Sequence, residues 1–288
     1  MGINLLLWTG HVTASHREVL EAIAATGFDG VEVPVFDTSD PAHYRELGEM
    51  LDGLGLARTV SSAFTDPAHN PVSPDQVARS AALDFTRSVI DCAEALGADL
   101  VVGPLFQPLG GFTGAGPTAA ELDHCADFLR AITPLLRGAG ITCALEPLNR
   151  FEAHLLNTAE QAVALMRAVD DPTIGILYDT FHAHIEEKDP LAALSSLIDA
   201  GVLAHVHISE NDRGVPGSGH AKIREAIALL QSRGYDGWLT IEAFGKAVPE
   251  LAAATRVWRD FFADPQCVVG EGYRFIGDCL AAARESRT

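Results

Sequence analysis

ITCALEP (residues 141–147), IGILYDT (174–180), LAHVHIS (203–209) and WLTIEAF (238–244) are four short apolar runs, each ending in or near an acid or an imidazole. The side chains in question, Glu146, Asp179, His207 and Glu242, are spaced 33, 28 and 35 residues apart, about one strand-plus-helix unit each time. Working outward from them, the same alternation runs along the chain and counts to eight. INLLLW (3–8), GVEVPV (30–35), ARTVSSA (57–63) and DLVVGPL (99–105) supply the earlier strands. Helices are expected from Ser15, from Ser39 and Pro41, from Ser73 and Pro74 to Leu96, from Thr118 to Leu136, and near Thr158, Asp189, His220 and Val248. The strands are continuous apolar runs, as parallel strands covered by helices require. Regular units with no linker or shift in composition favour a closed (β/α)8 TIM barrel, an α/β fold, as a single domain over 1–288. Residues 270–286 read as an extra C-terminal helix, either simply packed on the barrel or available to an oligomer contact.

Composition sets further bounds. Hydrophobic residues make up 48% and charged residues 20% of the 288, which fits a globular protein, and no apolar stretch approaches the roughly 20 residues that span a membrane. The opening MGINLLLWTG lacks the basic region of a signal peptide, and Cys92, Cys125, Cys143, Cys267 and Cys279 form no CxxC pair. A cytoplasmic protein with reduced thiols is expected. A formal charge of −19 repels phosphodiester backbones, so neither nucleic acid nor membrane is an expected partner.

In a parallel barrel the carboxyl ends of all strands open on one face, where loops build the active site. Two insertions lie there, PLFQPLGGFTGAGP (104–117) and ENDRGVPGSG (210–219). Glu146, Asp179, His207 and Glu242 would converge on the same face. A lone strand-end Glu is usually a solvated or capping residue, but four such groups leaving buried strands need compensating charge. Three oxygens and one imidazole suit a divalent metal, Mn²⁺ first with Co²⁺ or Mg²⁺ as alternatives, better than a structural Zn²⁺. In the HVH pair the ligand is assigned to His207, with His205 as a supporting residue and the reverse assignment left open. His182 lies within reach of a substrate, whereas His184 reads as a surface or helix-end residue. A metal chelating a carbonyl and its neighbouring hydroxyl acidifies the carbon between them and stabilises the enediolate. Carboxylates on strands 5 and 8 can then take a proton from one face and return it to the other, which inverts the carbon.

With ALEPLNRFE, LLNT, LYDTFHAHIEE, HVHISENDRG and IEAF on view, the chain resembles the ketose 3-epimerases (D-tagatose, D-allulose and L-ribulose 3-epimerase) of the xylose-isomerase-like barrels. The match is dense from Ala144 to Phe244 and weak before it, where GINLLLWTG is similar to the opening strand. The resemblance implies Glu146, Asp179, His207 and Glu242 as metal ligands, and Glu146 and Glu242 as the catalytic proton-transfer pair. It further implies that Glu152, His182 and Arg213 bind the sugar near O1 to O3; the plainer readings are a loop acid for Glu152 and a surface ion pair for Arg213. Trp8 and Phe244 are read as apolar walls for the sugar or as barrel core.

Pro147 and Leu148 replace residues more usually β-branched, Ser209 stands where glycine is common, and the 104–117 loop departs from the family text. The expected substrate is a small-molecule sugar, and a homo-oligomer, dimer or tetramer, is expected. Gly214, Gly217, Gly219 and Lys222 raise a phosphorylated sugar as an alternative, but the absence of Lys or Arg from Gly110–Gly116 favours the free ketose. Hydroxypyruvate isomerase and inosose dehydratase are the competing activities on the same barrel. An endonuclease IV-like phosphodiesterase or a non-catalytic sugar-binding barrel is more remote.

Overall fold

In the computed structural model, which describes residues 1–246 and 248–285, the first strand stops where Asn4 intervenes. The Asn4 side chain accepts the Leu6 N–H at 2.8 Å, ending β1 (Gly2–Asn4) and turning Leu5–Leu7 into a 3₁₀ helix. The strand expected over 3–8 is thus shorter than its apolar run, because a local side-chain bond competes with the ladder. Thr13, rather than Ser15, caps the 3₁₀ turn that leads into α1 (Arg17–Thr26).

The chain then alternates: β2 (Gly30–Pro34), α2 (Pro41–Gly53), β3 (Ala57–Ser61), α3 (Gln76–Leu96), β4 (Leu100–Gly103), α4 (Ala119–Ala139), β5 (Thr142–Leu145) and α5 (Ala159–Val169). It continues with β6 (Ile174–Asp179), α6 (Thr180–Glu186), α7 (Pro190–Asp199), β7 (Leu203–Ile208), α8 (Ile223–Ser232), β8 (Leu239–Ile241), α9 (Pro249–Thr255) and α10 (Pro265–Glu285). Helix starts follow their caps. Asp40 and Asp189 precede prolines at the first helical turn, and Thr118 with Glu121 and Thr158 with Gln161 form capping boxes. Helix α6 was not anticipated, since DTFH reads as a strand end; the Asp179 carboxylate caps it.

All eight strands are parallel, in the order β1 to β8, and β8 closes on β1 through Gly2 opposite Thr240 and Ile3 opposite Ile241. The C-terminal helix begins at Pro265 and packs against α8 and α1; Ser286, the last residue of the expected helix, lies outside the described residues. The main core fills the space between strands and helices, with Phe64, Phe106, Leu20 and Leu129 fully buried. A small second cluster of Leu100, Val102, Ala144 and Leu177, with Ala204 and Trp238 against it, packs the barrel interior. Near the carboxyl ends the interior turns polar: Asn4, Glu32, Thr59, Ser61, Glu146, Asp179, His205, His207 and Glu242 are all buried. The strand register puts Asn4, Glu32 and Thr59 side by side, and Asp179 beside His207. No described helix is long and apolar enough to cross a membrane. The five cysteines are free; burial pushes the Cys125 and Cys143 thiols up to about 12, which leaves them inert as nucleophiles.

Candidate metal centre and cleft

Strands β5, β6, β7 and β8 bring Glu146, Asp179, His207 and Glu242 together, with ligand atoms all within 4.8 Å of one another. Glu146 and Glu242 each stand one residue past a strand, and their backbone N–H groups still donate to the preceding strand, at Gly103 and Ile208. This fixes the carboxylates at the rim. His207 Nδ1 faces all three acids, 3.4 Å from Glu242 Oε1 and 3.7 Å from both Glu146 Oε1 and Asp179 Oδ2. Asp179 spends one oxygen on the Phe181 and His182 N–H groups, at 2.6 and 3.0 Å, and turns the other inward.

The electrostatics of this corner call for a cation. Burial, and then the Glu242 charge beside it, push Glu146 up to about 8. His207 is raised well above its usual value: burial opposes the rise, but the Glu32 and Glu242 carboxylates outweigh it. Glu146 Oε1 and His207 Nδ1 are buried without a hydrogen-bond partner among the described residues. Two such orphaned atoms aimed at one point, in an oxygen-rich set with one imidazole, fit a divalent ion and make a thiolate-type zinc site a poor match.

Arg213 supplies the fixed positive charge. Its guanidinium is buried, donates to Asp179 Oδ2 at 3.1 Å and to Ser209 Oγ at 3.0 Å, and pairs with Glu242. The Phe181 and Phe244 rings lie 3.9 and 4.8 Å from it. Burial opposes its charge, yet Glu242 and Asp179 hold it above its ordinary value, while Asp179 is held well below the usual carboxylate range. Arg213 reaches inward from the 210–219 loop with a φ of +64°, a left-handed backbone that a non-glycine residue adopts at a cost. Glu210 pins that loop, accepting the N–H groups of Asn211, Gly217 and Ala221 at 3.0, 3.0 and 2.8 Å.

His182 Nδ1 faces the Asn149 N–H at 2.9 Å, and its Nε2 lies 2.9 Å from Arg213 Nη2 and 3.5 Å from Glu146 Oε1. Burial, and then the Arg213 charge, hold it down at about 3, so it is neutral. Glu152 accepts from Asn149 Nδ2 at 2.6 Å, and burial raises it. These groups line a cleft with Leu6, Phe36, Leu109, Phe244 and Leu251. Trp8 stands apart from this inner cleft, in an outer cavity with Phe36, Leu109 and Leu251. His184 packs edge-on against His220, away from the cluster.

Three buried groups escaped the sequence reading. Glu32 accepts from His207 Nε2 at 2.9 Å. Ser61 lines the cleft with a hydroxyl that has no partner among the described residues, and Asn149 orients both His182 and Glu152. A Glu flanked by valines in GVEVP was the one available signal for the first, since an ionised group in a covered strand needs a partner.

A family model described as xylose isomerase-like TIM barrel matches residues 20–263. The ketose 3-epimerase of Arthrobacter globiformis is 30% identical over 287 residues, covering 99% of this chain and 98% of its own. A solved L-ribulose 3-epimerase superposes with a TM-score of 0.93 at 29% identity, covering 100% of this chain and 96% of that one. A D-allulose 3-epimerase from Methylomonas sp., solved in complex with D-allulose, gives 0.88 at 25% identity, with 96% of each chain covered.

Proposed function

Because the chain belongs to the xylose isomerase-like TIM barrel family and, within it, to the ketose 3-epimerases, which are isomerases, we propose that it epimerises a free ketose at C3. The observation that carries this reading is the pair of buried carboxylates, Glu146 and Glu242, that reach one cleft from β5 and β8 with His207 Nδ1 between them. A divalent ion held by Glu146, Asp179, His207 and Glu242, Mn²⁺ by first choice and otherwise Co²⁺ or Mg²⁺, would polarise the ketose carbonyl and acidify the neighbouring C–H.

The chain's own groups do the rest. One glutamate oxygen takes the C3 proton and the other returns a proton to the opposite face, so the roles of Glu146 and Glu242 exchange with the direction of reaction. Arg213, His182 and Glu152 orient the oxygens at C1 to C3. Phe244, Leu6, Leu109 and Leu251 exclude water from the reacting carbons, and Trp8 forms a wall for the far end of the sugar. Asp179 and His207 hold the ion and move no proton.

A free sugar is favoured over a phosphorylated one by two features. In the glycine loop after β7, the natural cradle for an anion, the Asn211, Gly217 and Ala221 N–H groups are already taken by the Glu210 carboxylate and that of Gly214 by Asp212. The outer cavity is lined by Trp8, Phe36, Leu109, Val248 and Leu251 and, among the described residues, by no lysine or arginine. A cytoplasmic role in carbohydrate metabolism and assembly as a dimer or tetramer complete the reading, with the exposed Phe112 and Phe151 as apolar surface for a contact. The deciding experiment strips the protein with chelator, restores Mn²⁺ or Co²⁺, and offers D-fructose, D-tagatose, L-ribulose and the matching phosphates. Formation of C3 epimers from the free ketoses is expected. An aldose or dione product, or strong preference for a phosphate ester, would overturn the proposal.

A further inference from the structure

We propose that Glu32 is a positioning residue of the metal centre: its carboxylate holds His207 in the tautomer that presents a bare Nδ1 to the ion. The inference rests on the metal-ligand reading of His207.

Glu32 sits mid-strand in GVEVP, fully buried, where an unpaired carboxylate would cost several kcal/mol. Its partners come from three other strands: Asn4 Nδ2 at 2.8 Å from β1, Thr59 Oγ1 at 2.9 Å from β3, and His207 Nε2 at 2.9 Å from β7. His205 Nε2 lies 3.2 Å from its second oxygen. The direction of each bond is forced. Asn4 already uses its carbonyl oxygen to accept the Leu6 N–H, so only its NH₂ remains for Glu32. An ionised carboxylate accepts and does not donate, so the proton between it and His207 must ride on Nε2. An ion at this corner would displace any second proton from the ring, so that Nε2 keeps its N–H and Nδ1 turns its lone pair toward the ion among Glu146, Asp179 and Glu242. A carboxylate behind a ligating imidazole both fixes the ring and increases its donor strength, and losing one typically costs 10–100-fold in metal affinity.

Glu32, His205 and His207 also form a cluster able to hold an ion of their own, so the test must separate a support from a ligand. In the Glu32→Gln variant the side chain keeps its volume and loses its charge. With the chelated full-length protein titrated by Mn²⁺, one ion per chain is expected in both proteins, bound about 10–100-fold more weakly by the variant, whose metal-free form melts cooperatively but at a lower temperature because the buried donors around residue 32 lose an acceptor. Equal affinity in a folded variant overturns the proposal. So does a wild-type stoichiometry of two ions that falls to one in the variant, which would make Glu32 a ligand. No binding by the wild-type chain sinks the metal reading itself, a result distinct from the other two. Should the variant fail to fold, the wild-type protein still decides. In the Mg²⁺-loaded chain with ¹⁵N-labelled histidines, His207 must show its proton on Nε2, and a proton on Nδ1 overturns the assignment.

Discussion

Replacing Glu242 by Gln isolates the proton-transfer role from the rest of the site. The substitution keeps shape, and Arg213 retains Asp179 at 3.1 Å, Ser209 at 3.0 Å and the Phe181 ring at 3.9 Å, so its charge stays compensated. Loss of the charged partner should therefore cost only about 1–3 kcal/mol of stability. Catalysis should suffer far more. A positioned general base contributes about 10²–10⁴-fold, or about 2.7–5.4 kcal/mol of barrier, and an amide cannot serve as one. The assay runs each C3 epimer separately in D₂O with saturating Mn²⁺, following both conversion and deuterium at C3. Glu146 remains, so the epimer whose C3–H faces it should still exchange that hydrogen with solvent without being converted, while the other epimer stays inert. Conversion within tenfold of wild type, or equal exchange in both epimers, would refute the two-carboxylate scheme.

The pH dependence of the same corner follows from Glu146, which burial and then Glu242 raise from 4.5 to about 8. The folded chelated chain holds a proton there that the unfolded chain has released, so this group's contribution to stability is full below its ordinary value and is lost as pH rises through about 8. An ion that binds Glu146 and His207, both raised, must displace protons from them, so apparent Mn²⁺ affinity should weaken by about tenfold or more per pH unit below that point. Melting curves with and without Mn²⁺ across that range check both signs, and a metal-induced gain that ignores pH would contradict them. A second expectation concerns Gly103, whose φ is +129° and where an added Cβ would lie 2.1 Å from the Ser62 carbonyl oxygen. Gly103→Ala should destabilise by more than about 3 kcal/mol on a denaturant curve, and a loss below about 1 kcal/mol would show that the β3 to β4 junction yields more easily than its geometry implies.

Much of this architecture was legible in the chain. The eight units, the caps at Thr118, Thr158 and Asp189, and the convergence of four donors follow from spacing and local chemistry, which act over a few residues. What escaped is non-local or locally ambiguous. INLLLW looks like one strand, and only the Asn4 bond to Leu6 shows where it breaks. DTFHAHIE looks like a strand end with two histidines at period two, yet the Asp179 cap winds it into α6 and turns His182 inward and His184 toward His220. Glu32 bonds a residue 175 positions away, beyond any window of periodicity. Arg213 also admitted the plainer reading of a surface ion pair, until the loop placed its guanidinium in the interior.

That long-range bond has a consequence for assembly. Asn4, Glu32 and Thr59 belong to the first three strands, while Asp179, His207 and Glu242 belong to the last three. Neither half of the chain, cut anywhere between β3 and β6, contains both these three proposed ligands and the carboxylate proposed to steady His207. If the ion is held as proposed, its high-affinity capture would be conditional on the sheet having closed, so that a newly made chain would acquire its Lewis acid only once its ends had met.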